Sequence, residues 1–150
     1  MNAVLSETLG WIGIFSPVAL GAIGSTLGCA AAGRAAVGAL LEVESRYGLY
    51  IGTAALPSSQ IIYGIVIMFV LDRTVTDANA AGLFALGVLS GLALIFSGWS
   101  QGLCCASAIN VAKSKPEIYA LTIAPAAIVE GFAVFVFIFV LVIGADLPTG

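Results

Sequence analysis

Glu130 is the one acid in the stretch 120–144, which is otherwise Phe, Val, Ile, Leu, Ala and Gly with a single Thr and a single Pro. A membrane helix needs about 20 apolar residues to cross the hydrocarbon, and Glu130 falls near the middle of such a span. An ionised carboxylate there costs at least ~2.5–3.5 kcal/mol. A chain keeps one at that depth when it binds something, moves a proton or meets a partner charge, which makes Glu130 the first candidate for function. Few other polar groups share its surroundings. Gln60, Ser59 and Tyr63 lie together in one apolar stretch and Gln101 in another. Pro57 lacks an N–H, which is expected to free the carbonyl of Thr53 and loosen the backbone around Leu56.

Counting residues shows which of these groups can meet. Gln101 and Glu130 are equidistant from Lys115-Pro116. In an antiparallel hairpin with a rise of ~1.5 Å per residue they reach similar depths. Carboxylate, two amide oxygens, a hydroxyl and a carbonyl form an oxygen-only set. Such a set suits a hard cation, and one carboxylate suits a monovalent one. Each residue also has a plainer reading. A Gln can simply hydrogen-bond across helices for ~1 kcal/mol or less, Ser59 can bond back to its own helix, and Tyr63 can be a core aromatic. Their shared depth with Glu130 favours a site.

The elements that must position these groups follow from composition. Of 150 residues, 61% are hydrophobic and 9% charged, and the mean hydropathy is +1.14. Soluble domains carry about 25% charged residues, so this is an integral, multi-pass membrane protein. A net charge of −3 leaves no basic footprint for nucleic acid. The start lacks the cationic region of a signal peptide, so no cleavage is expected. With no His and three Cys, a transition-metal site is disfavoured, and Cys29, Cys104 and Cys105 read as small packing residues. Hydropathy places four spans at about 9–32, 50–71, 80–112 and 118–143. The connections are then 33–48, 72–79 and 113–117. The first and third hold Arg34, Arg46, Lys113 and Lys115, four of the five basic residues. The positive-inside rule puts those two in the cytoplasm and both termini outside.

The halves repeat. Gly24 and Gly28 match Gly98 and Gly102, and Tyr63-Gly64-Ile65-Val66 matches Phe132-Ala133-Val134-Phe135. These offsets differ by five residues, assigned to the first connection, and they set Ile61 in the place of Glu130. The expected fold is all-α: a duplicated transmembrane hairpin, 1–71 and 72–150, with only the second copy keeping its carboxylate. Spans one and three are glycine-rich, which permits close backbone approach in lipid. Spans two and four carry Phe69, Phe135, Phe137 and Phe139. A tight layer of spans one and three under an outer layer of two and four, repeated about an axis, closes a ring.

Leu56-Pro57-Ser58-Ser59-Gln60-Ile61-Ile62-Tyr63-Gly64, Gln101-Gly102 and Val129-Glu130-Gly131-Phe132-Ala133 resemble the proteolipid of V-type ATPases, the duplicated rotor-ring subunit K of bacteria and archaea. The resemblance runs over essentially the whole chain. It implies a homo-oligomeric ring in a prokaryotic plasma membrane, turning against a stator subunit with an essential Arg. It also implies that central-stalk subunits dock at the cytoplasmic loops, and that ATP is hydrolysed in a separate head rather than by this chain. By the pattern of sodium-transporting members, Glu130, Gln101, Gln60, Ser59 and the Leu56 carbonyl hold Na+, with Tyr63 hydrogen-bonding the Glu. No organic cofactor is implied. Ser59 stands where the family has Thr, and Phe132 where many members have Tyr. One carboxylate per four spans lowers the ions moved per turn, which suits a pump working against a steep gradient at ~2.3 kcal/mol per charge per 100 mV. Two alternatives stay open: the same ring carrying H+, and a small four-helix proton-coupled exporter.

Overall fold

A computed structural model describes residues 2–149. It is all-helical: α1 (Ala3–Leu40), α2 (Tyr47–Ala55), α3 (Ser59–Leu71), α4 (Ala80–Ser114) and α5 (Tyr119–Ala145), with 3₁₀ turns at Leu56–Ser58 and Pro116–Ile118. The turn at Leu56–Ser58 joins α2 and α3 into one crossing, so four helices are long and apolar enough to span a membrane. Asn2 starts α1 by accepting the N–H of Val4 on its side chain, which satisfies one of the unpaired amides of the first turn.

The second span ends at Leu71 and the third begins at Ala80, at the hydropathy limits, while the other ends run beyond them. α1 starts at Ala3 and continues to Leu40, so 33–40 is helix and the first connection shrinks to 41–46. Gly and Arg lower the hydropathy of 33–40, but its alanines favour helix. Ala32, Ala36 and Ala39 are fully buried in a cluster with Cys105, Ile109 and Ala112 of α4. Lys113 likewise belongs to the last turn of α4. At ~1.5 Å per residue, the 38 residues of α1 reach about 57 Å, well beyond a ~30 Å hydrocarbon layer.

α1 and α4 run side by side and form the tight layer. A Cβ on Gly87 would strike the carbonyl of Gly13, one on Gly102 would strike the backbone of Gly28, and one on Gly24 would meet the Leu94 carbonyl. Backbone against backbone gives dense packing without any apolar driving force from water. α3 lies over α1, with Gly64 against the Pro17 carbonyl. α5 lies over α4 and touches α3, while among the described residues α1 and α5 do not meet. At the end away from the first connection, the Arg73 guanidinium donates to the carbonyls of Val70, Gly144 and Leu147. It thereby closes the C-terminal end of α5, where carbonyls lack helical partners.

This packing makes a direct prediction. Gly102→Val should lower the thermal midpoint of the detergent-solubilised protein by an amount corresponding to ~1–3 kcal/mol, the usual cost of overpacking. Gly38→Ala, in the same layer but with open space around it, should be neutral or mildly stabilising.

Candidate ion-binding site

Five of the six predicted positions come together as one hydrogen-bonded chain that ends on Glu130, and the sixth contributes a backbone carbonyl. The Gln101 Nε2 donates to Glu130 Oε2 at 3.0 Å, and the Tyr63 hydroxyl donates to Glu130 Oε1 at 3.1 Å. The Gln60 Nε2 donates to Gln101 Oε1 at 3.3 Å and to Ser59 Oγ at 3.4 Å. Ser59 in turn donates to the Leu56 carbonyl at 3.1 Å. Gln101 and Glu130 therefore do meet at one depth, as the count from Lys115-Pro116 requires.

Pro57 acts differently from the sequence expectation. The Thr53 carbonyl is not free, because the Leu56 N–H reaches back to it in a 3₁₀ pattern. What the proline changes is the next turn: the tightened backbone at Leu56–Ser58 brings the Leu56 carbonyl under the Ser59 hydroxyl. The Thr53 hydroxyl pairs instead with Tyr119 at 2.6 Å, away from Glu130.

The direction of the chain follows from the carboxylate. Glu130 offers only acceptors when ionised, so Gln101 must turn its N–H₂ toward it and its oxygen toward Gln60. Gln60 must then present its own N–H₂ to Gln101. The Gln60 Oε1 is left over: fully buried and without a hydrogen-bond partner among the described residues. An unmet buried acceptor costs about 1–3 kcal/mol, and flipping the amide would set two oxygens against each other. Both carboxylate oxygens already accept, and among the described residues no Lys or Arg pairs with Glu130; the ion pair present is Lys113–Glu42 at 2.9 Å, at the far end of α4. Glu130 itself is half-buried. The arrangement is thus rich in acceptors and short of one positive charge.

Two serines contribute that the sequence did not single out. Ser97 donates to the carbonyl of Val129, the residue before Glu130, at 3.2 Å. Ser25 accepts the Ile61 N–H, just after Gln60, at 3.1 Å. These bonds tie α5 to α4 and α3 to α1 at the depth of the site. Their signal is weak, because Ser16 and Ser107 are also membrane-span serines and bond back to their own helices.

The repeat also has a different register in its outer helices. α1 and α4 end at Leu40 and Ser114, and the next helices start at Tyr47 and Tyr119. The connections are 41–46 and 115–118, so they differ by two residues rather than five. Tyr47, Leu49, Ile51, Ala54 and Ala55 then match Tyr119, Leu121, Ile123, Ala126 and Ala127. Ser58 rather than Ile61 falls opposite Glu130, and the first copy still has no carboxylate there.

Comparison with known proteins agrees with this organisation. The sequence profile of the ATP synthase C-subunit family matches twice, at residues 12–71 and 84–143, equally spaced at both ends. The chain is 34% identical over 129 residues to the V-type sodium ATPase subunit K of Enterococcus hirae, covering 82% of this chain and 83% of that protein. It is 31% identical over 129 residues to the A-type ATP synthase subunit K of Methanocaldococcus jannaschii, covering 83% of this chain but only 59% of that longer protein. With four membrane-length helices in two hairpins and most of its length inside the two matches, the chain belongs to the ATP synthase C-subunit family.

Proposed function

We propose that this chain is the repeating subunit of a rotor ring in a rotary ATPase and that it carries Na+ on Glu130. The ligands are Glu130, Gln101, Gln60, Ser59 and the Leu56 carbonyl, with Tyr63 holding the carboxylate. The observation that carries this reading is the buried Gln60 Oε1, without a hydrogen-bond partner among the described residues, in the same hydrogen-bonded chain as a carboxylate that no Lys or Arg of those residues pairs with. A proton on Glu130 neutralises the charge, but it satisfies that oxygen only by reversing both amides, which puts the Gln60 N–H₂ in the same buried place without an acceptor. A sodium ion answers both, drawing on oxygens alone as a hard cation prefers. Rotation of the Ser59 hydroxyl would free lone pairs on Ser59 and Leu56 for the same ion. Kinship with a sodium ATPase subunit supports the choice.

The energetics give the working cycle. Facing lipid, Glu130 stays neutralised, because a bare carboxylate there is too costly. At the stator, an aqueous path and an Arg on the partner subunit let the ion leave while the carboxylate pairs with the guanidinium. Turning the ring presents the emptied site to the other side of the membrane. The chain performs no ATP chemistry itself. The two hairpins, 1–71 and 72–150, share this labour unequally, since only the second brings a carboxylate. The direct test is labelling of Glu130 by a carboxyl-reactive carbodiimide with and without sodium; rates indifferent to sodium would make this a proton-carrying ring.

We place the connections 41–46 and 115–118 in the cytoplasm of a prokaryotic cell, where they meet the central stalk, and both termini outside. Arg34, Arg46, Lys113 and Lys115 lie at that end, while the fifth basic residue, Arg73, is occupied in closing α5 at the other. Cysteines introduced at the exposed Ser45 and Ser114, with the three native cysteines changed to Ala, should react with impermeant reagents only from the cytoplasmic face. Reaction from outside would invert the topology.

A further inference from the structure

Three of the proposed ligands, the Leu56 carbonyl, Ser59 and Gln60, sit where the 3₁₀ turn gives way to α3. The first turn of a helix leaves its N–H groups without helical partners, so this part of the span supports itself least. The serine that precedes α3 does not help: the Ser58 hydroxyl donates back to the Ala55 carbonyl at 2.7 Å and caps no amide. The Ser59 N–H reaches the Leu56 and Pro57 carbonyls. The Ile61 N–H is met from another helix, by the Oγ of Ser25 in α1 at 3.1 Å. Ser25 is only 7% exposed.

α1 is shaped to bring that hydroxyl there. Gly21, Ser25 and Gly28 stand about one turn apart along one face. A Cβ on Gly21 would meet the Gln60 carbonyl at 2.9 Å, and one on Gly28 would meet the Pro57 side chain at 2.6 Å. From the other side, a Cβ on Gly98 of α4 would meet Gln60 Cγ at 2.9 Å. The ligand-bearing turn is therefore held between glycines, with Ser25 supplying the polar bond. By the match of Gly24 and Gly28 to Gly98 and Gly102, the second hairpin carries Ile95 and Trp99 in the places of Gly21 and Ser25. Its outer helix, α5, runs unbroken through Glu130 and has no exposed first turn there to cap. The serine is found only in the copy that breaks its outer helix at the ligands.

We propose that Ser25 is a positioning residue of the ion site: it caps the first turn of α3 from α1, holds Gln60 in place and so sets the affinity for sodium without touching the ion or Glu130. The proposal rests on the sodium reading and adds what keeps the first hairpin's ligands in register. Without the Ser25 hydroxyl, the Ile61 N–H loses its partner, and the turn recovers one only by shifting, which carries Gln60 with it. Gln101 and Glu130 stand on α4 and α5, and their mutual bond does not pass through Ser25.

The test is carbodiimide labelling of Glu130 in the assembled protein across a sodium titration. Ser25→Ala removes the acceptor and leaves space, Ser25→Cys fills the space with a weak acceptor, and Ser25→Thr keeps the hydroxyl. The Ala and Cys variants should need about threefold to tenfold more sodium for half-protection, the scale of one neutral hydrogen bond. Their labelling rate without sodium should match the parent, which a general loosening of the fold would not allow. Ser25→Thr should restore the parent value. Ser107→Ala, which deletes a hydroxyl bonded to its own helix, should leave it unchanged. Hydrogen exchange at the Ile61 amide, followed in parallel, should quicken in the Ala and Cys variants only. Parent-like sodium protection in both would overturn the role of Ser25 and leave the sodium site standing. So would a sodium-free rate that moves as far as the protection does. Labelling of the parent that ignores sodium would remove the sodium reading itself, and this role with it.

Discussion

Glu130→Gln is expected to reduce ion transport by the assembled ATPase to background while the chain still folds and assembles. The reason lies in how little else changes. Gln is nearly isosteric with Glu; Gln101 can still donate to its oxygen, and the Tyr63 hydroxyl can accept from the new amide, so the contacts at 3.0 and 3.1 Å need only redirect. What disappears is the sole titratable charge at the depth of the site. Without it the stator Arg has no counter-charge to meet, and an ion has a neutral amide oxygen in place of a carboxylate. Hydrogen-exchange protection and ring mass should match the parent protein. Normal transport by this variant would remove Glu130 from the mechanism.

The two halves of this result were not equally legible in the sequence. Long apolar runs fix the number of crossings because lipid leaves the backbone no alternative to helix. They do not fix where helices end: hydropathy marks the edge of oil, whereas α1 continues to Leu40 because Ala36 and Ala39 pack against α4. For the site, counting from Lys115-Pro116 was enough to bring Gln101 beside Glu130, because an antiparallel hairpin conserves depth. The orientation of Gln60 could not be counted. It depends on a relay of amide directions that begins at the carboxylate, and the unpartnered oxygen appears only once that relay is closed. Ser25 and Ser97 stayed hidden for a related reason, since a serine in a membrane helix bonds either to itself or across, and composition does not say which.

That unpartnered oxygen also sets the sharpest expectation about the ion. Carbodiimide attacks a protonated carboxyl group, and a coordinated carboxylate cannot hold that proton. Sodium should therefore slow modification of Glu130, most strongly at higher pH, where protons compete least. Gln60→Ala removes the oxygen that has no other partner, and Gln101→Ala removes the group that aims it. Losing one contact to a charged species typically costs about 1.5–3 kcal/mol, so the sodium concentration giving half-protection should rise by about tenfold to a hundredfold in either variant. The two variants should also differ from each other. Gln101 donates to Glu130 directly, so its loss should alter labelling even without sodium, whereas Gln60 touches the carboxylate only through Gln101 and should matter chiefly when sodium is present. If both variants were protected as well as the parent, the amide oxygens would not be ligands, and the buried Gln60 Oε1 would need a water rather than an ion to satisfy it.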